Sequence, residues 1–186
     1  KAMRGKYGAP AKYHIDERGA RLNPGHENLP IKISCYGDSF AFCNQVNDNE
    51  TWPWHLSRLT KTNVLNFAIA NYGIDQALLR LKREYPKNKS EIVLLAIGGT
   101  SVAIRIISMW KHYHEYGNTF GFKPRFELKN GGLNLIKNPI DSKEKFLEYH
   151  KYLDVIKKND LMYGSFRANR FEFPYFVSIL SNPVRN

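Results

Sequence analysis

The chain carries only two cysteines in 186 residues, Cys35 and Cys43, so a disulfide framework is excluded by count. No Cys-x-x-Cys spacing is present, and the pair reads as free, partly buried thiols packed around a turn. No apolar run approaches the roughly 18 residues of a transmembrane helix, so insertion into a membrane is not expected. The Gly-x4-Gly-Lys-Ser/Thr spacing of a phosphate loop is missing, although Gly98-Gly99-Thr100-Ser101 shares its composition. Carboxylates are scarce, 17 Asp+Glu against 28 Lys+Arg, giving a formal net charge of +11. The basic residues are scattered, densest at Arg80-Leu81-Lys82-Arg83 and Lys157-Lys158, and no basic stripe interleaves with aromatics. That pattern favours a solvated basic surface over a nucleic-acid footprint. The sequence opens at Lys1 without an initiator methionine or an apolar leader core, which reads as a processed form or a fragment and leaves the compartment open.

What is present argues for a folded globule. Hydrophobic residues make up 42% of the chain and aromatics 13%, enough for one domain with a substantial core. Residues 1–30, rich in Gly, Pro and charge, read as an irregular arm. Residues 31–36 read as a strand, 50–60 as a helix with Trp54 and Leu59 in the core, and 64–69 as a second strand. Over residues 74–85, Ile74, Leu78, Leu81 and Tyr85 share one helical face, with Arg80, Lys82 and Arg83 off it. Ile92-Val93-Leu94-Leu95-Ala96-Ile97 is a continuous apolar run of the kind buried on both faces of a parallel sheet. Val102, Ile106, Met109, Trp110 and Tyr113 then repeat at helical spacing. The β-α-β-α-β-α order predicts a doubly wound α/β sheet. Beyond it, Asn130-Gly131 predicts a hairpin turn within residues 122–136. Residues 142–156 read as a helix capped by Ser142, and 174–180 as a short helix.

The chemistry concentrates where the first strand runs out at Gly37-Asp38-Ser39-Phe40. A serine hydroxyl just past the carboxyl end of a strand lies where ligands bind in open α/β sheets. A tight glycine turn there is also how serine hydrolases expose a nucleophile beside backbone N–H groups. Together with Asn66-Phe67-Ala68-Ile69-Ala70-Asn71-Tyr72-Gly73 and the Ile97-Gly98-Gly99-Thr100-Ser101 strand end, this turn resembles the SGNH (GDSL) hydrolase superfamily over about residues 31–113. The resemblance implies a three-layer α/β/α fold with a mostly parallel, flavodoxin-like sheet. It implies a serine esterase or acyl-transfer enzyme acting on O-acyl esters of small molecules or carbohydrates, with no metal or organic cofactor. Ser39 would be the nucleophile, and the Ser39 and Asn71 backbones with the Thr100 side chain would form the oxyanion hole. Asp38, Gly73, Ser101 and Arg105 would line the site. The segment 117–186 would be a hairpin and helical insertion that covers or shapes it.

The chain departs from the family pattern at three points. Asn71 stands where the second block has glycine, and asparagine tolerates left-handed backbone better than most residues. Thr100, or Ser101 one residue on, stands where the third block has asparagine. No Asp-x-x-His occurs among His14, His26, His55, His112, His114 and His150, although a serine nucleophile needs a general base. The expectation is a domain incomplete at its C-terminus, with the base beyond Asn186. A catalytically degenerate binding module is the first alternative and a basic nucleic-acid-binding α/β protein the second. Other residues take blander readings. Asp38 holds the turn by hydrogen bonds, the tryptophans are core residues, Arg105 makes a surface ion pair, and His150 with Asp154 four residues on is an exposed helix histidine. Gly37-Asp38-Ser39-Phe40-Ala41 lacks the last glycine of Gly-x-Ser-x-Gly, so an α/β-hydrolase elbow is disfavoured.

Overall fold

The computed structural model describes residues 11–98, 105–111 and 121–163. The chain divides into two compact units, Lys1–Val102 and Ala103–Asn186.

The first unit is built on three parallel strands, β1 (Ile31–Tyr36), β2 (Asn63–Asn66) and β3 (Ile92–Leu95), in the order β2-β1-β3. Ser34 pairs with Leu65 on one side and Val93 on the other. Parallel neighbours require crossovers, and helices provide them. α1 (Ser39–Phe42) and α2 (Trp52–Thr60) lie between β1 and β2, and α3 (Ile74–Glu84) lies between β2 and β3. α2 starts where the Thr51 hydroxyl accepts from the Trp54 N–H at 3.2 Å, with Pro53 in the first turn where its missing N–H costs nothing. It ends at Lys61, which takes left-handed backbone. α3 carries Asp75 in its first turn and Lys82 and Arg83 in its last, matching the helix dipole.

Alternate strand positions feed different clusters. Ile33, Cys35 and Val64 pack with Leu56 of α2, whereas Tyr36, Leu65 and Phe67 pack with Ala77 and Leu81 of α3. The architecture is mixed α/β on a parallel sheet, as the alternating periodicity predicts. Four particulars differ. β2 ends at Asn66, because the Asn66 side chain turns to bond the Ala41 carbonyl and the Ala68 N–H. Leu59 is 74% exposed, and Leu56 takes the core position on α2. Arg80 is buried instead of lying off the packed face, donating to the Gly19 carbonyl with its guanidinium over the Phe67 ring. β3 is parallel but not covered: Ile92, Val93 and Leu95 are all exposed. Its continuous apolar run suits a central strand, yet among the described residues β3 stands at the sheet edge.

The arm before β1 is irregular in backbone but contributes to the interior. Ala20 is fully buried in the α3-side cluster, and Arg21 bridges to Asn66 at the end of β2. The Arg21 guanidinium donates to Asp48 Oδ1 at 2.8 Å and to the carbonyls of Phe42, Cys43 and Val46. Asn23 donates to Ser57 Oγ at 2.6 Å and Asn63 Oδ1 at 3.0 Å, and Ser57 Oγ also accepts from the Val64 N–H.

The second unit contains two small antiparallel ladders. β4 (Trp110–Lys111) pairs with β5 (Gly121–Phe122), and β6 (Arg125–Lys129) pairs with β7 (Gly132–Ile136). α4 (Lys143–Leu147) and α5 (Leu153–Asn159) follow. The helical spacing from Val102 does not carry through to Tyr113. Helix is present at 105–107, but the N–H groups of Met109 and Trp110 both donate to buried Asp160 Oδ2 at 2.7 Å, and Trp110 enters a strand. A tertiary carboxylate thus replaces the helical acceptors. Ser142 does cap a helix, accepting from the Lys145 N–H, but the helix expected over 142–156 is broken. Glu148 (φ −107°, ψ 27°) and a 3-10 turn over Tyr149–Tyr152 separate α4 from α5. The hairpin forms as Asn130-Gly131 predicts, with φ of 52° and 77° at its tip. No helix among the described residues is long and apolar enough to cross a membrane. The expected helix at 174–180 lies outside the described residues.

Candidate functional site

β1 delivers the chain into a turn that only glycine fits. A Cβ on Gly37 would stand 3.0 Å from the Ala96 carbonyl oxygen and equally close to the Cβ atoms of Ala41 and Ala96. The strand-end bonds Ala96 N–H to Tyr36 O (2.9 Å) and Ile69 N–H to Gly37 O (3.1 Å) leave that turn little room. Asp38 follows, buried, and caps α1 by accepting from the Phe40 N–H at 2.9 Å through Oδ1. This is the turn-holding role read from its sequence position. Ser39 is then the first residue of α1 and is half-buried. Among the described residues, neither its hydroxyl nor its backbone N–H makes a hydrogen bond. Phe40 beside it is largely exposed, and its ring lies close to Gly98.

A small solvent-open cleft of about 10 Å³, roughly the room of one water molecule, is lined by Gly37, Asp38, Tyr72, Gly73, Ile74, Ala77, Ala96 and Ile97. These residues come from the carboxyl ends of β1 and β3 and the start of α3. The chain runs from β1 to β2 on one side and then crosses over β1 to β3 on the other. The cleft at the ends of β1 and β3 therefore lies where the strand order reverses, the general ligand position of such sheets. Ser39 is not among the lining residues; it follows directly on Asp38, which is.

Asn71 takes φ of 65°, the left-handed conformation that glycine would adopt without cost. The Tyr72 N–H closes the turn onto Ile69 O at 3.2 Å, and the Gly73 N–H donates to Gln76 Oε1 at 3.3 Å at the start of α3. Asp38 and Gly73 therefore meet at one cleft, with Ser39 and Asn71 on the turns that form it. Thr100 and Ser101 lie outside the described residues. Arg105 belongs to the second unit.

None of the described histidines partners Ser39. His14 Nδ1 lies 2.9 Å from Asp48 Oδ2, the carboxylate that also holds Arg21. His26 and His55 both pack edge-on against Trp54. His150 is exposed against Tyr149, and none of the four is bonded to Ser39. His112 and His114 lie outside the described residues. The tryptophans are not all core: Trp52 is exposed at the start of α2, whereas Trp54 donates Nε1 to the Pro24 carbonyl.

The thiols are free and offer no rival nucleophile. Burial, with a smaller push from neighbouring Cys43, raises the Cys35 thiol far above its ordinary range. Burial also raises Cys43, partly offset by a backbone hydrogen bond at Trp52 and the Arg21 charge. A thiol held above its usual pKa is not a thiolate near neutral pH. Among the described residues, no group of three or more His, Cys, Asp or Glu is placed to hold a metal ion.

Two contributions escape a reading of motifs. Asn66 opens the second sequence block, but its structural work is to tie the end of β2 to α1 through Ala41 and to the arm through Arg21. Tyr72 and Ile97 stand inside the second and third sequence blocks without an expected role, yet both line the cleft. Comparison with protein-family models, curated proteins and solved structures returned no match.

Proposed function

We propose that this chain is a serine esterase or acyl-transfer enzyme of the SGNH type, acting on O-acyl esters, with carbohydrate-linked esters among its substrates. The observation that carries the reading is Ser39. It follows the central strand through a glycine-only turn, with its hydroxyl and N–H both uncommitted among the described residues, next to the cleft at the strand-order reversal. In this reading Ser39 Oγ attacks the ester carbonyl, and its proton passes to a general base that returns it to the departing alcohol. The acyl group left on Ser39 then passes to water or an acceptor hydroxyl. The Ser39 N–H, a backbone N–H at the Asn71 turn and the Thr100 hydroxyl receive the charge developing on the carbonyl oxygen. The left-handed backbone at Asn71 supports that part, since it reproduces a glycine conformation with a non-glycine residue. The separate clusters of α2 and α3 on alternate strand positions support a three-layer α/β/α arrangement.

The test is hydrolysis of a short-chain aryl ester, paired with covalent capture by a fluorophosphonate. Both should be lost in Ser39→Ala. Hydrolysis that survives Ser39→Ala removes the nucleophile assignment. A second reading, a binding module that kept the fold without turnover, is favoured by one observation: no described histidine is bonded to Ser39. It predicts saturable binding of an acylated sugar by a protein that fluorophosphonate does not label.

A further inference from the structure

We propose that the tip of the β6–β7 hairpin docks on the face of an anionic phospholipid bilayer. In the antiparallel register Phe126 faces Leu135 and Leu128 faces Leu133, two positions apart and so on one side of the ribbon. The other side carries Glu127 opposite Asn134, joined by a 2.8 Å hydrogen bond. Exposure climbs along the ribbon, from 8% at Arg125 to 77% at Leu128 and 64% at Leu133. The hairpin thus presents its most apolar pair where it is least covered, held up by a tight Asn130-Gly131 turn.

Charge selects the occupant. Lys129 at the tip and Lys137 below it are exposed and have no ion-pair partner among the described residues. By contrast, Lys145, Lys151 and Lys157 of the same unit are paired with Asp141, Glu148 and Asp154. The ribbon's single carboxylate, Glu127, is occupied by Asn134, and the whole chain carries +11. Size argues the same way. A specific protein interface buries roughly 800 Å² per partner, far more than two leucines and a turn can offer. A lipid surface needs no complementary patch, and each lysine near an anionic one strengthens attachment by roughly fivefold. The contact is peripheral and reversible and involves no spanning segment.

The test is co-sedimentation of the full chain with phosphatidylcholine vesicles, with and without phosphatidylserine. Binding should require phosphatidylserine and weaken as salt rises. The double variant Leu128→Ser/Leu133→Ser should lower partitioning at least about tenfold, and Lys129→Gln about fivefold. The melting temperature should be unchanged in both, because the side chains are exposed. Leu59→Ser, at an equally exposed leucine of the first unit, should bind like the parent chain. Failure of the parent chain to sediment with phosphatidylserine vesicles overturns the proposal, as does unaltered binding by the double variant or an equal loss in Leu59→Ser. Concentration-dependent self-association abolished by the double variant, without lipid binding, assigns the tip to a second copy and equally overturns it.

Discussion

Arg21→Met isolates the guanidinium that joins the arm to the first helical turn after β1. Methionine keeps much of the apolar stem but removes four donated hydrogen bonds: one to Asp48 Oδ1 and three to the carbonyls of Phe42, Cys43 and Val46. The Arg21 side chain is only 1% exposed and that of Asp48 9%, so water cannot substitute readily. Deleting one partner of a buried ion pair costs roughly 3–5 kcal/mol, mostly because the remaining charge is stranded. Asp48 retains the backbone N–H and the ring of His14 on Oδ2, which places the expected loss near the lower end, about 3 kcal/mol. For a unit of this size that corresponds to a melting decrease of about 12 °C or more. Chemical denaturation followed by circular dichroism supplies the free energy. Asp48→Asn closes a double-mutant cycle, and the two losses should fall short of additive by at least about 1 kcal/mol. A loss below about 1 kcal/mol, or strict additivity, would refute the idea that this pair clamps the arm to the α1 turn.

Three further outcomes follow from the site. Gly37→Ala should cost about 1–3 kcal/mol in thermal denaturation and reduce ester hydrolysis further, because the added methyl meets a backbone carbonyl at 3.0 Å. Asn71→Gly should be more stable than Asn71→Ala by about 1 kcal/mol, since both remove the side chain but only glycine accepts φ of 65° without strain; equal stabilities would contradict the left-handed turn. Burial raises Cys35 and, with opposing contributions from Ser34 and Arg80, Tyr36 above their ordinary values. Both protons are therefore held more tightly in the folded chain than in the unfolded one. Their contribution is complete below the ordinary thiol range and is lost as pH rises above it. Melting temperatures should decline on that alkaline limb, and less steeply in Cys35→Ala.

Periodicity made the first unit legible because its core residues are mostly short-range neighbours in the pattern. The β1 and α3 bounds follow from alternation and helical spacing, and Asn130-Gly131 specified its hairpin. Legibility ended where a distant group overrode local preference. Met109 and Trp110 keep a helical spacing, but Asp160, some 50 positions on, takes their N–H groups. Arg80 looks solvent-facing by charge, yet the Gly19 carbonyl and the Phe67 ring give it a buried place. At the candidate site, the Gly37-Asp38-Ser39 turn could be read because glycine and an Asx cap have short-range signatures. The apolar cleft wall of Tyr72 and Ile97 has none.

The stretch before β1 has the composition of a tether, yet Ala20, Arg21 and Asn23 are among the most enclosed residues of the first unit. Asn66 makes the point from the other side: its carbonyl accepts from the Arg21 N–H while its amide holds Ala41. A border drawn at the first strand would therefore cut through the folding unit instead of around it. Any shortened version meant to preserve the Ser39 turn has to begin ahead of Ala20, because the loop that follows α1 is anchored from there.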